Sequence, residues 1–225
     1  MIEKNLYLIR QNIAKACQIF ARNSSKVKIV AVSKTIAREN IVEAIKCGCK
    51  IFGENYLQEA QQKWPEIKQE FPDIQLHFVG HLQSNKAKDA VALFDCIESV
   101  DSENLAREIA KQQAKLNKII DIFIQVNIGA EPQKSGIAIE KLGDFINLCR
   151  DQLKLRVMGL MAIPPAEEFP APYFALLAKL AKQYNLTNLS MGMSSDYHEA
   201  IALGATHIRL GTAIFGARQP KANLL

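Results

Sequence analysis

The sequence predicts an α/β protein, a single (β/α)8 TIM barrel with an additional N-terminal helix. Three observations support this. Short β-branched or apolar runs recur along the chain, segments of helical period fill most of the gaps between them, and this one alternation extends from Val27 almost to the last residue.

The first segment lies outside the repeat. Leu6, Ile9, Ile13, Ala16 and Phe20 fall at helical spacing, so residues 1–22 are expected to form an amphipathic helix packed on the barrel. The strand runs then follow as VKIVAVSK from Val27, KIFGEN from Lys50, QLHFVG from Gln75, CIESVD from Cys96, IIDIFIQVNI from Ile119, LRVMGLMAI from Leu155, NLSMG from Asn188 and HIRLG from His207. Between them lie helical patterns such as Ser102 followed by Leu105, Ile109 and Leu116, or Ile139 followed by Leu142, Ile146 and Cys149. Strict alternation of strand and helix implies parallel strands joined by right-handed crossovers. Eight such units suit a compact barrel, and residues 1–225 are read as one domain. An open doubly wound sheet is the alternative, weakened because no glycine-rich GxGxxG turn follows the first strand run.

Composition narrows the function classes. The chain is 48% hydrophobic and 23% charged, with no run of 18 apolar residues, and polar residues interrupt its first twenty where a signal peptide would be continuously apolar. A soluble cytoplasmic protein with no membrane partner is the expectation. The five cysteines are odd in number and mostly sit in apolar patterns, which suits a reducing compartment without disulfides. Cys47 and Cys49 flank Gly48 but have no second pair at zinc spacing, so they read as a helix end. The net charge of +5 is spread over helix faces beside Asp and Glu, which argues against a nucleic-acid stripe and allows a small phosphate-bearing ligand.

In such a barrel, chemistry is expected at the C-terminal strand ends, with a phosphate held after the seventh and eighth strands. Lys34 closes an apolar run, so it either snorkels outward as a plain strand-end lysine or stands in the mouth. In the last strand His207, Arg209 and Gly211 share one face while Ile208 and Leu210 share the other. Arg209 is expected in the mouth, or else in an ion pair with a strand-end carboxylate such as Glu54 or Asp101. Gly211 would let a ligand approach the backbone, and Thr212 would cap the TAIFGA helix while offering its hydroxyl to a phosphate. Asp196 with Glu199 resembles a capping box, and because the charge of Asp196 would repel a phosphate, Ser194 is assigned to that role. A lysine facing a phosphate cradle suits a phosphorylated aldehyde. Schiff-base formation needs the neutral amine, for which Arg209 is the candidate neighbouring cation. His81 is a weak acid–base candidate, His77, His198 and His207 read as structural, and Lys134 is the second-ranked lysine.

The motifs AVSKT, FGENY, HFVGHLQSNK, SVDS, QVNIGAEPQKSGI, GLMAI, LSMGMSSDYHEAI and HIRLGTAIFGAR occur in order over nearly the whole chain. Together they resemble the YggS/PROSC family of pyridoxal phosphate homeostasis proteins, which is similar to the barrel domain of alanine racemase, fold type III. The resemblance implies that Lys34 forms the internal aldimine of pyridoxal 5'-phosphate, that Ser194, Arg209, Gly211 and Thr212 surround the cofactor, and that Asn55 lies nearby. It departs at Leu76, where relatives often have tryptophan, and between Ala166 and Pro172. The implied role is to bind, buffer or deliver the cofactor, with apo-enzymes as recipients and a monomer as the working unit. No second, β-rich domain is expected after the barrel pattern. A racemase or decarboxylase is the alternative, and a Schiff-base aldolase a more distant one. An arginine at the pyridine nitrogen would leave the ring a poor electron sink, which favours the carrier.

Overall fold

The computed structural model describes residues 1–217; Arg218, which ends the last motif, lies outside the described residues. Its first helix, α1 (Ile2–Ile19), buries Ile2, Leu6, Ile9, Ile13, Ala16 and Cys17. Phe20 does not share that face. The helix stops one residue before it, and its ring stays 48% exposed. The guanidinium of Arg22 then donates to the carbonyls of Ile201 and Ala205, which ties the end of the segment to the barrel.

Eight strands follow: β1 (Lys28–Val32), β2 (Ile51–Glu54), β3 (Gln75–Phe78), β4 (Cys96–Val100), β5 (Asp121–Gln125), β6 (Arg156–Met161), β7 (Asn188–Ser190) and β8 (His207–Leu210). Between them run α2 (Arg38–Lys46), α3 (Leu57–Glu70), α4 (Ala87–Leu93), α5 (Glu103–Leu116), α6 (Leu142–Asn147), α7 (Ala171–Gln183) and α8 (Tyr197–Ala202), and α9 (Thr212–Phe215) follows the last strand. The strands form a closed barrel in sequence order. Parallel pairing of Lys28–Ala31 with His207–Leu210 closes it.

Alternation along the strands sorts the side chains. Ala31, Phe52, Leu76, Ile97, Ile208 and Leu210 face outward into the main core beneath the helices, where Trp64 of α3 lies 5.2 Å from Phe52 between ring centroids. Val30, Ile51 and Val79 form a small cluster apart from that core, as do Cys96, Phe123 and Met161. Amid these lies a buried polar layer: His77, Glu98, Ser190, His207 and Arg209. The predicted split of the last strand into two faces is therefore realised.

Three local expectations change. Lys34 is not the last residue of a strand: β1 ends at Val32, Ser33 N–H still bonds Gly53, and the chain then turns through Thr35 at φ 64°. The capping box at α8 does not form, because the Asp196 carboxylate turns back to accept from the Met193 N–H at 2.5 Å. Thr212 is the first residue of α9 and not its cap. Gly211 holds the cap position, and Ser194 Oγ accepts from the Ala213 N–H at 3.2 Å.

Candidate functional site

One cavity of about 380 Å³ at the C-terminal end of the barrel is lined by Val32, Lys34, Asn55, Val79, Ile163, Met193, Ser194, Ser195, Arg209, Gly211 and Thr212. All six residues singled out from the sequence thus meet in one place, although they come from loops and strands spread over the chain. The volume lies within the range of small-molecule sites.

The backbone explains the position of Lys34. Val30, Val32 and Lys34 alternate onto the same side of the chain, and the turn after β1 is held by Glu59, which accepts from the Thr35 N–H at 2.6 Å, and by Lys63, which donates to the Ser33 carbonyl at 2.8 Å. A β-branched residue at positive φ is a costly conformation, so this turn is fixed by its neighbours and not by local preference. Beneath it Glu54 is fully buried; its Oε1 accepts from Ser33 Oγ at 2.7 Å and Trp64 Nε1 at 3.0 Å, and pairs with Lys63 Nζ at 2.8 Å. Asn55 follows directly, braced by Gly80, where an added Cβ would lie 2.3 Å from the Asn55 carbonyl oxygen. Its side-chain Oδ1 is buried with no hydrogen-bond partner among the described residues. Such an atom needs a ligand or water to satisfy it.

Across the cavity, a Cβ at Gly211 would come no closer than 3.5 Å to Val32, so protein packing does not demand glycine there. The bare backbone instead leaves room on the cavity side. Ser194, in the loop after β7, and Thr212, the first residue of α9, line the cavity beside it.

Arg209 is only 5% exposed. It pairs with neither Glu54 nor Asp101. Its Nη1 donates to Ser190 Oγ at 2.7 Å and its Nη2 to the Ala162 carbonyl at 3.0 Å. Ser190 Oγ in turn donates to Glu98 Oε2 at 2.5 Å, while Glu98 Oε1 meets His77 Nδ1 at 2.6 Å. Burial lowers the pKa of Arg209, opposed by Glu98 and Asp196. Burial works to raise that of Glu98, but the hydrogen bond and charge of His77, with Arg209 and His207, outweigh it and bring it down to about 2. His207 is pushed down to about 4, chiefly by burial, with Glu98 opposing. The sequence reading placed no weight on Glu98. Its signal was available: Cys96 and Glu98 alternate onto one face of a strand, and a carboxylate there requires partners.

His81 and Lys134 fall elsewhere, in a second cavity of about 350 Å³ that shares Asn55, Val79 and Ile163 with the first. His81 does have a carboxylate partner, Asp101 Oδ2 at 3.5 Å, besides Ser135 Oγ at 3.2 Å. Lys134 is paired with Glu131 at 2.5 Å, which ties it to its own loop. His77 and His207 belong to the buried polar layer.

The family model for the alanine racemase N-terminal domain matches residues 5–219. Among curated proteins, the pyridoxal phosphate homeostasis protein of Aquifex aeolicus is 39% identical over 225 residues, covering 96% of this chain and 98% of the relative. That of Escherichia coli K12 is 35% identical, covering 96% and 97%. The chain belongs to the pyridoxal phosphate homeostasis protein family. Among solved structures, that of PipY from Synechococcus elongatus with PLP bound superposes at a TM-score of 0.83, with 35% identity over 96% of this chain and all of PipY. Alanine racemase from Bartonella henselae, 14% identical at a TM-score of 0.72, shares the fold; the match covers 96% of this chain and 58% of the racemase. The departures from the family pattern lie away from the cavity. Leu76 is wholly buried in the outward core, and none of residues 166–172 lines the site. No helix among the described residues is long and apolar enough to cross a membrane.

Proposed function

We propose that this chain binds pyridoxal 5'-phosphate at the barrel mouth, covalently on Lys34, and serves to hold the cofactor and release it to apo-enzymes that need it. The observation that carries the reading is the single cavity in which Lys34, Asn55, Ser194, Arg209, Gly211 and Thr212 converge. Pyridoxal 5'-phosphate supplies an aldehyde that condenses with an amine, an aromatic ring and a phosphate, and the lining offers a match for each. Lys34 provides the amine. The hydroxyls of Ser194 and Thr212 bind phosphate oxygens beside the bare backbone of Gly211, where charge-assisted hydrogen bonds are strong. Arg209 faces the ring from below, and the unsatisfied Oδ1 of Asn55 takes a polar group at the ring edge or a water that bridges to it. Further support comes from the relatives named pyridoxal phosphate homeostasis proteins and from PipY, solved with PLP bound. The protein is expected to work as a monomer in the cytoplasm.

Titration of the cofactor-free protein with pyridoxal 5'-phosphate, followed by absorbance, tests the reading. A new band in the near-ultraviolet to visible region should form with wild type and be absent from folded Lys34→Ala. Holo-protein mixed with an apo-transaminase should then restore transaminase activity. An unchanged band in Lys34→Ala contradicts the site, and failure to transfer contradicts the carrier role.

A further inference from the structure

Arg209 stands at the floor of the cofactor cavity, yet what fixes its direction lies one layer deeper. The chain of contacts is complete and directional. A serine hydroxyl has one proton to give. Ser190 gives it to Glu98 Oε2 at 2.5 Å, so toward Arg209 Nη1, at 2.7 Å, the same oxygen can only accept. The other oxygen of Glu98 is held by His77 at 2.6 Å, which prevents the carboxylate from rotating away. Glu98 and Ser190 are both 0% exposed, so no solvent competes for these bonds. The bonds to Ser190 and to the Ala162 carbonyl take two of the five N–H groups of a guanidinium.

We propose that Glu98 is the positioning residue for Arg209: acting through the Ser190 hydroxyl, it balances the buried guanidinium and locks its orientation so that a remaining N–H is presented to the ring nitrogen of the cofactor. This rests on the cofactor reading above. Direct contact between Glu98 and Arg209 would neutralise the cation within the core. Placing Ser190 between them supplies the counter-charge while the guanidinium stays directed at the cavity. Thr206 Oγ1 engages Nδ1 of the neighbouring His207 at 2.9 Å.

The test compares dissociation constants for pyridoxal 5'-phosphate and for its 1-deaza analogue, in which the ring nitrogen is replaced by C–H, in wild type, Glu98→Gln, Ser190→Ala and Arg209→Met. Thermal melts of the cofactor-free proteins establish folding, and Glu98→Asp, too short to reach Ser190 in the same geometry, replaces Glu98→Gln if that variant does not fold. Wild type should prefer the natural cofactor by about tenfold or more, the worth of one hydrogen bond from a charged donor. The preference should fall toward unity in all three variants while both ligands still bind. A purely structural role would alter the melts and leave the ratio alone. A wild-type ratio near one, or a wild-type ratio kept by the folded Glu98 variant, overturns the proposal. So does a loss confined to Ser190→Ala, which would assign the positioning to Ser190 by itself. If wild type binds neither ligand, the cofactor reading fails together with this one, a result recorded before any variant is made.

Discussion

Glu54 and Glu98 are both fully buried glutamates on barrel strands, yet their surroundings differ in kind. Glu54 is paired directly, with Lys63 at 2.8 Å, and it also accepts from Trp64 and Ser33. Lys63 in turn holds the Ser33 carbonyl, so the whole cluster fixes the turn that carries Lys34. Glu98 reaches its arginine only through a hydroxyl. A direct pair spends its cation on the scaffold. An indirect one leaves the cation aimed at a ligand, which marks the second cluster as part of the site and the first as its foundation.

The largest effect expected is on the direct pair. Lys63→Met leaves the Glu54 carboxylate buried without its cation, which should cost about 3–5 kcal/mol of stability. Urea denaturation measures it. A loss within about 0.5 kcal/mol, the range of ordinary surface changes, would remove the distinction drawn between the two clusters.

The acid side of the stability curve separates two further groups. The Glu98 carboxyl is held at about 2 against an ordinary 4.5, so the unfolded chain takes up that proton first as pH falls. Its contribution is complete above the ordinary value and is lost on descent through the folded one. His207 is held at about 4 against an ordinary 6.5, and here too the unfolded chain protonates first, so stability drops as pH falls from 6.5 to 4. Each window is worth roughly 3 kcal/mol. Denaturation at a series of pH values should show His207→Gln flattening the upper window and Glu98→Gln the lower. Identical profiles in wild type and variants would contradict the charge states assigned to the buried layer.

Smaller effects are expected at the rim. Ser194→Ala and Thr212→Ala should each weaken pyridoxal 5'-phosphate by about 1.5–3 kcal/mol while scarcely changing the affinity for unphosphorylated pyridoxal. Calorimetric or absorbance titration with both ligands checks this. Equal losses for the two would place these hydroxyls away from the phosphate.

Much of this was legible in the sequence because barrel strands announce themselves locally. Each β-branched run needs only its own residues to be recognised, and the alternation His207, Arg209, Gly211 against Ile208, Leu210 follows from strand geometry alone. The convergence of Lys34 with Ser194 and Thr212 was legible because strand ends in a closed barrel must share one mouth. What escaped notice depends on partners distant in sequence. Glu98 and Ser190 are 92 residues apart, and no local pattern joins them. His81 acquires Asp101 only through neighbouring strands. The capping box at α8 failed for a different reason: Asp196 has a competing donor, the Met193 N–H, three residues back. Phe20 fits the helical period but falls past the last turn of α1, and periodicity cannot say where a helix ends.

The most direct test of the cofactor site is borohydride reduction of protein loaded with pyridoxal 5'-phosphate, followed by peptide mass mapping. The pyridoxyl group should be recovered on Lys34 at one equivalent per chain, and Lys34→Ala should give no modified peptide. Recovery on Lys134 or another lysine in wild type, with Lys34 unmodified, would contradict the site built around the turn after β1.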